Sequence, residues 1–446
     1  MSGRKADKKQ GDTGERGGSA KHSDQKGSRL PDKVIGGKYV RLLEKQLKQL
    51  RDASAHGNRR LFLDEVFVAY LLAFFNPVVR SLRTLEDLSQ TPQAQKHLST
   101  PKICRSTLSD FNQCVDPDRL APIMDALRRR LSIRQAEHGR TADDLTSVLK
   151  RTVAVDGTFL HAVADVSWAM ANTNNHNAVR YRARLDAHVN VSTWLPEALV
   201  VPDPGQSESA SAIQHIQPGR IYLYDRGYMR FELLAAHYPE PVGSRIDATS
   251  EPQSHFVIRF KPVGSNSSEL SDAADRPLSD DDRAAGVTGD RIGCFRSSIA
   301  RRKGLHDVSL REVVVEFEDQ GEQKTLRLMT NLMDVPARTI AMLYRYRWQV
   351  ELFFRWFKTF GNFGHLICHS REGVLAHLYV SIIGMLLMYL HTGYRPSKYL
   401  FVMLSQVAAG GATLEDIMPI LRERERQSAV ARASAARRRA KKKAQG

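Results

Sequence analysis

Residues 344–358 read YRYRWQVELFFRWFK, and this segment carries the strongest structural signal in the chain. Within it, Tyr344, Glu351 and Lys358 are seven residues apart, and Arg347 lies three residues after Tyr344 and four before Glu351. Because an α-helix turns by about 100° per residue, all four side chains project from one stripe. Most other positions are large and apolar. The pattern therefore predicts a long helix over about residues 336–360 that is buried except along this stripe.

The polar stripe has two interpretations. Arg347 and Glu351 could form an ordinary helix ion pair, which contributes about 0.3 kcal/mol. However, a buried helix rarely keeps so many polar groups in one line unless a site requires them. We therefore favour a functional site centred on the Glu351 carboxylate and flanked by cations.

Two aspartates follow strand-like apolar runs upstream of this helix. Asp156 ends the run Val153-Ala-Val, and Asp225 ends the run Tyr222-Leu-Tyr, with a glycine close behind each aspartate. Open α/β sheets present functional groups at the carboxyl ends of their strands, where we expect both carboxylates. A lone aspartate after a strand is more often a turn or helix-cap residue than a functional one. Finding two such aspartates favours a functional role only modestly more.

The composition divides the chain into four regions. Residues 1–37 are polar and basic, which predicts a disordered arm. Residues 38–150 carry apolar side chains at helical spacing and predict a helical domain. Residues 151–395 alternate strand-like and helical runs, which predicts a mixed α/β sheet, with a polar insertion over about residues 262–330. Residues 396–446 predict a helical region with a basic tail.

The polar stripe resembles a known family motif. Its spacing, Tyr344-x2-Arg347-x3-Glu351-x6-Lys358, resembles the Y-R-E-K motif of DDE transposases of the insertion-sequence-4 family. The segments VDGT around Asp156 and LYDRGY around Asp225 resemble the two aspartate strands of that family. The resemblance covers about residues 60–390. It implies a ribonuclease-H-like catalytic domain, with an inserted mainly β subdomain, preceded by a helical DNA-binding domain.

The same resemblance implies the chemistry. Asp156, Asp225 and Glu351 are expected to be the catalytic residues and to bind metal, because three gathered carboxylates repel one another unless divalent cations neutralise them. An all-oxygen ligand set favours Mg²⁺, with Mn²⁺ as a substitute, here as two ions about 4 Å apart. The expected reactions are cleavage of transposon ends and strand transfer into target DNA, with no ATP or organic cofactor.

Tyr344, Arg347 and Lys358 are expected to bind the DNA end. The formal charge of +17, from 66 Lys and Arg against 49 Asp and Glu, predicts a polyanionic partner. We expect this partner to be double-stranded DNA, both terminal inverted repeats and target. The family resemblance implies a homodimer in the synaptic complex.

A membrane partner is not expected, since the sequence shows no basic amphipathic helix, lipidation motif or secretory signal. The apolar stretch from Val374 to Leu390 approaches spanning length, but it contains His377 and Ser381 and predicts a buried core helix. The four cysteines are scattered without a CxxC pair, which fits a reducing bacterial cytoplasm with the protein associated with the nucleoid.

Two other functions stay open. A domesticated DNA-binding protein would keep this fold without catalysis, but the intact Asp156, Asp225, Glu351 and Lys358 argue against it. A stand-alone nuclease would cut without joining ends, whereas the basic termini and the Y-R-E-K stripe favour joining.

Three further patterns have weaker interpretations. The His365-x2-Cys368-His369 cluster lacks the distant partner ligands that a zinc site needs. Asp186 and His188 alternate on one strand face, which predicts a plain exposed face more than a position near metals. Some family members stack a flipped base on a tryptophan of the insertion. This chain has none there, and Phe295 or Phe317 could substitute.

Overall fold

The structure is a computed structural model that describes residues 37–53, 61–75, 79, 81–95, 98, 100–138, 144–160, 170–173, 179–260, 269–319, 321–360, 370–393, 398–408 and 411–443. Residues 1–36 of the predicted basic arm lie outside these ranges, and so does the His365, Cys368 and His369 cluster.

Helices fill the N-terminal part of the chain up to the first strand. They are α1 (Gly37–Ala53), α2 (Leu63–Phe75), α3 (Leu82–Ser89), α4 (Pro92–Gln95), α5 (Arg105–Cys114), α6 (Ala121–His138) and α7 (Asp144–Arg151). Apart from Asp64 and Glu65 in its first turn, helix α2 is apolar on all sides, and all of its residues except Leu72 are buried. A helix with this pattern belongs to a core rather than a surface. The helical character predicted for this region is confirmed.

A ten-stranded sheet forms the centre of the molecule. Its strands are β1 (Thr152–Leu160), β2 (Met170–Thr173), β3 (Val179–Asn190), β4 (Pro196–Val200), β5 (Ile221–Tyr224), β6 (His255–Arg259), β7 (Ser271–Asp275), β8 (Val287–Cys294), β9 (Leu310–Asp319) and β10 (Glu322–Thr330). Four short helices connect them: α8 (Glu208–Ile213), α9 (Phe231–Ala235), α10 (Asp280–Ala284) and α11 (Ser298–Arg302).

The first half of the sheet has the predicted ribonuclease-H-like topology. Strand β3 is antiparallel to β1 and to β4, while β5 runs parallel to β1 and β6 runs parallel to β5. An antiparallel set of β4, β3 and β1 is thus extended by two parallel strands. Parallel strands place their carboxyl ends at the same edge of the sheet, and this edge is where the predicted aspartates belong.

The predicted insertion is mainly β, as expected, and its strands continue the same sheet. Strand β10 pairs antiparallel with β6, with Met329 opposite Ile258. Strands β9, β8 and β7 then follow in that order, each antiparallel to its neighbour.

The long helix predicted over residues 336–360 is wrong in one respect, because it is two helices. Helix α12 (Ala337–Arg345) and helix α13 (Trp348–Phe360) are separated by a turn at Tyr346 and Arg347. Tyr346 N donates to Leu343 O (2.9 Å) and Arg347 N donates to Tyr344 O (3.0 Å). These bonds join residues three apart, as in a 3₁₀ turn, rather than four apart as in an α-helix. The four residues of the motif therefore do not lie on one continuous helix.

The predicted burial of α13 is only half right. Val350, Phe353, Phe354 and Phe357 are buried, and this face packs against β1 and β3. On the other flank, Trp348 is 49 % exposed. Helix α13 thus rests on the sheet with one face and turns an aromatic side chain to solvent.

Three helices complete the described chain: α14 (Arg371–Thr392), α15 (Lys398–Ala408) and α16 (Leu414–Lys443). Helix α14 contains the apolar stretch of near-spanning length and is almost entirely buried against α2 and α6, so the predicted core helix is confirmed. Its contact with α2 is very close at Gly384, where a β-carbon would lie 2.5 Å from the Phe74 ring.

Candidate active site

Asp156 lies within β1, whereas the sequence predicted it at the end of a strand. The strand continues to Leu160, and Asp156 pairs with Ala187 of β3. Pairing between β1 and β5, however, ends at Ala154 opposite Leu223. Asp156 therefore lies just beyond the point at which the two parallel strands part. The predicted edge of the sheet is right, while the predicted strand end is wrong.

Asp225 directly follows β5, as the sequence predicted. It precedes a single 3₁₀ turn, Arg226–Tyr228. The hydroxyl of Tyr344, on α12, donates a long hydrogen bond of 3.4 Å to its Oδ1. Burial and the nearby Asp225 carboxylate both raise the pKa of Tyr344, so the phenol stays protonated and can donate.

Arg347 joins the other two carboxylates. Its Nη2 lies 2.6 Å from Oε1 of Glu351, and its Nη1 lies 3.7 Å from Oδ2 of Asp156. The guanidinium is mostly buried, so its charge is poorly screened by water. Because Arg347 lies in the turn between α12 and α13, this turn brings the guanidinium onto the aspartate of β1.

The Asp156 carboxyl is unusual for an aspartate. Burial, aided by the charges of Glu208 and Glu351, raises its pKa to about 6, although the Gly157 N–H and Arg347 act in the opposite direction. The Gly157 N–H donates to Oδ1 at 2.9 Å. The positive charge of Arg347 thus only partly offsets the cost of burying this carboxylate, and a further cation would favour its ionised form, as expected of a cation ligand.

Lys358 lies on α13, seven residues beyond Glu351, and its ammonium is exposed. Partial burial of its side chain lowers its pKa. Among the described residues, no ion pair or hydrogen bond joins it to the three carboxylates. The structure thus brings together five of the six predicted site residues and places Lys358 at a distance along the same helix.

The prediction that Asp186 and His188 lie on a plain exposed strand face is wrong. Asp186 is buried and accepts two hydrogen bonds from Arg184, at 2.8 and 3.0 Å. His188 is also buried, and burial lowers its pKa to about 3, so its ring is neutral. Strand β3 is covered on this side by α8, which sequence periodicity did not reveal.

Glu208 is a site residue that the sequence interpretation missed. It is the first residue of α8, and a β-carbon at Gly157 would lie 2.6 Å from its Oε1 and 2.9 Å from Oδ1 of Asp186. Gly157, directly after Asp156, was the one local signal in the sequence. A side chain at this position would clash with the carboxylates of Glu208 and Asp186, so only glycine lets them approach β1.

Of the two candidates for base stacking, Phe295 is buried and packs edge-to-face on Phe231. Phe317, on β9, is 39 % exposed. Only Phe317 presents a ring that a base could reach.

The arrangement of the acidic side chains shows how a divalent cation would fit among them. Within the described ranges, no three Asp, Glu, His or Cys side chains converge at ligand spacing. Instead, a guanidinium lies between Asp156 and Glu351. The arginine thus stands in for a cation that two carboxylates attract, and the all-oxygen donor set suits a hard ion such as Mg²⁺. The chemistry of Asp156 and Glu351 therefore fits such an ion at the position that the Arg347 guanidinium occupies.

Comparison with known proteins identifies relatives of one kind. Residues 148–387 match the family described as the transposase DDE domain. A protein of Geobacillus stearothermophilus named as the transposase of an insertion sequence element is 37 % identical over 78 residues, or 18 % of this chain and 20 % of that protein. A protein of Sinorhizobium fredii named as a transposase is 28 % identical over 173 residues, or 38 % of this chain and 42 % of that protein.

The matched segments thus span less than half the length of either relative. Among solved structures, a piggyBac transposase synaptic complex with hairpin DNA aligns with 84 % of this chain and 78 % of its own, at 9 % identity and a TM-score of 0.37.

Proposed function

This chain belongs to the family of transposases with a DDE domain, and we propose on that basis that it cleaves the ends of its own mobile element and joins them to target DNA. The observation that carries the proposal is that Arg347 links Asp156 to Glu351 while Tyr344, three residues earlier, donates to Asp225 at the same edge of the sheet. Membership of the insertion-sequence-4 group rests on the Y-R-E-K spacing and is part of the proposal.

In this proposal Asp156, Asp225 and Glu351 hold two Mg²⁺ ions, for which Mn²⁺ substitutes. The ions would supply activation of the attacking oxygen and neutralisation of the attacked phosphate. Tyr344 positions Asp225 through its hydroxyl, and the main-chain N–H of Gly157 fixes Asp156. Asp156 and Asp225 are thus already oriented by their neighbours.

Both steps are in-line displacements at phosphorus. In the first, water attacks the phosphodiester at the element's end, and the 3′-oxygen leaves as a hydroxyl. In the second, that 3′-hydroxyl attacks a phosphodiester of the target and displaces its 3′-oxygen. Each step forms one P–O bond and breaks one, so no cofactor and no covalent protein intermediate is needed.

Arg347 and Lys358 supply the positive charge for the DNA end. Arg347 is held by Asp156 and Glu351 in this structure, and it would turn to the terminal phosphate once cations occupy the carboxylates. Lys358, exposed two turns further along α13, would bind the next phosphates.

Double-stranded DNA is the proposed partner, as terminal repeats and as target. The net charge of +17 supports it, and so does the basic end of α16, where residues 437–443 read RRRAKKK. We propose a homodimer in the synaptic complex, because one reaction must hold both ends of the element.

The test is a Mg²⁺-dependent cleavage assay on DNA that carries the element's flanking ends. We expect the wild type to release a specific 3′-hydroxyl end and Glu351→Ala to release none while still binding the DNA. Glu232→Ala is the control, since Glu232 pairs with Lys303 at 2.9 Å outside the site. If neither wild type nor variant cleaves while both bind, the chain is a DNA-binding protein without catalysis.

A further inference from the structure

A fourth carboxylate reaches the edge of β1. Glu208 begins α8, and its Oε1 lies in the space that a β-carbon at position 157 would occupy. Position 157, directly after Asp156 in β1, therefore requires glycine. Without a side chain there, Glu208 can approach the backbone beside Asp156. This contact joins α8 to the catalytic strand.

The charge around Glu208 is predominantly negative. Burial raises its pKa, and Asp186 and Asp225 raise it further, while Arg184 lowers it. Arg184 is already committed, since two of its nitrogens bind Asp186 and Nη1 donates to Gln206 O at 2.6 Å. A half-buried carboxylate among other carboxylates needs more positive charge than the protein provides there.

A second and independent feature is the hydroxyl of Tyr228. The residue is 2 % exposed, and its hydroxyl finds no hydrogen-bond partner in the described part of the chain. Its backbone N–H donates to Asp225 O at 3.1 Å, which places the residue in the turn beside the acidic cluster, and after burial the charges of Glu208, Asp186 and Asp156 raise the pKa of its hydroxyl. Buried hydroxyls are nearly always paired, so an unpaired one points to an occupant such as a hydrated ion.

We propose that Glu208 is a fourth carboxylate of the divalent-cation site, beside Asp156 and Asp225, and that the Tyr228 hydroxyl donates to the hydration shell of the bound ion. The inference rests on the proposed function, because it assumes that the three family carboxylates bind metal. It adds a ligand from α8 to the set that β1, β5 and α13 provide.

The experiment measures Mn²⁺ binding to the full chain without DNA, by the electron paramagnetic resonance signal of free Mn²⁺. We expect Glu208→Gln, which keeps the shape and removes the charge, to weaken binding about tenfold. Tyr228→Phe should weaken it by roughly two- to threefold, a smaller loss because a hydroxyl that acts through the hydration shell is not itself a ligand. The matched control is Glu232→Gln, in the first turn of the next helix, which should bind as the wild type does.

Asp225→Asn separates the two proposals. If it weakens Mn²⁺ binding while Glu208→Gln binds like wild type, the role of Glu208 is overturned and the family site stands. If Asp225→Asn also binds like wild type, the metal site of the proposed function fails, and the role of Glu208 fails with it. Glu208→Asp keeps the charge on a shorter side chain, and intermediate affinity with an unchanged melting temperature would support the proposal against a folding defect.

Discussion

The Arg347 guanidinium lies between two acidic side chains, 2.6 Å from Oε1 of Glu351 and 3.7 Å from Oδ2 of Asp156. Without metal, this one cation offsets the repulsion between carboxylates that a divalent ion would otherwise bridge. In the proposed function, metal binding and release of the arginine would therefore be coupled, since each cation would compete for the same oxygens.

Arg347→Ala tests this competition. We expect DNA cleavage to fall about 100-fold, because a positive charge near the scissile phosphate is lost. Mn²⁺ affinity should stay equal or rise, because the competing guanidinium is gone. Parallel titrations of cleavage and of Mn²⁺ binding would check this, and a variant that loses Mn²⁺ binding would show that the arginine organises the ligands.

Asp156→Asn should change stability in a pH-dependent way. The folded pKa of Asp156 is about 6, above the ordinary value of 3.8, so ionisation of this group opposes folding. Its stabilising contribution is full below about pH 4 and is lost as pH rises through about 6. In EDTA at pH 8 the asparagine variant should thus be the more stable, by up to about 3 kcal/mol.

Urea unfolding at pH 4 and pH 8 measures the effect. The difference between Asp156→Asn and wild type should shrink towards zero at the lower pH. A wild type that is the more stable protein at pH 8 would mean that the ion pair with Arg347 outweighs burial of the carboxylate.

Lys358→Ala should weaken binding to a cleaved element end more than binding to flanking duplex. Lys358 is an exposed residue of α13, so its ammonium can reach a terminal phosphate in the proposed complex. We expect the affinity for the cleaved end to fall about tenfold, as for the loss of one charged contact. Lys303→Ala is the control because Lys303 pairs with Glu232. Equal weakening on both DNAs would reduce Lys358 to a general phosphate contact.

The central features of the site could be predicted from sequence because they are local. Seven-residue spacing and apolar runs before aspartates depend only on neighbours along the chain. The turn at Tyr346 and Arg347 could not be predicted, since the helical pattern continues through it without a proline or glycine. Tertiary contact with the sheet overrides propensity there.

Glu208 and Asp186 were beyond prediction for another reason. Their role depends on α8 lying over β1 and β3, a contact between elements distant in sequence. Strand alternation alone left Asp186 as a residue of an exposed face. The one local hint was Gly157, whose missing side chain matters only once those carboxylates are placed.

A buried ion pair holds the segment that leads into α12. Arg311, on β9, is 1 % exposed and binds Asp290 of β8 through two hydrogen bonds, at 2.8 and 2.7 Å. Its Nη1 also donates to Val335 O at 2.7 Å, two residues before α12 begins. The arginine thus ties the insertion strands to the segment that leads to Tyr344.

Arg311→Met should therefore lower the free energy of unfolding by about 3–5 kcal/mol, because it leaves Asp290 buried with much of its charge uncompensated. The matched control is Arg296→Met, which removes a similar pair with Asp272 (2.9 Å) that is exposed on both sides. That loss should be much smaller, because water and salt screen an exposed pair. Urea unfolding of the two variants measures the contrast, and equal losses would refute it.

The double variant Arg311→Met with Asp290→Leu isolates the positioning role. Replacing both charges removes the cost of the unpaired aspartate, so stability should return in part. The carbonyl of Val335 still lacks its donor, however, so the segment before α12 is not held. We therefore expect the double variant to cleave DNA more slowly than the wild type even though its free energy of unfolding recovers. Cleavage at the wild-type rate would show that the arginine serves stability alone.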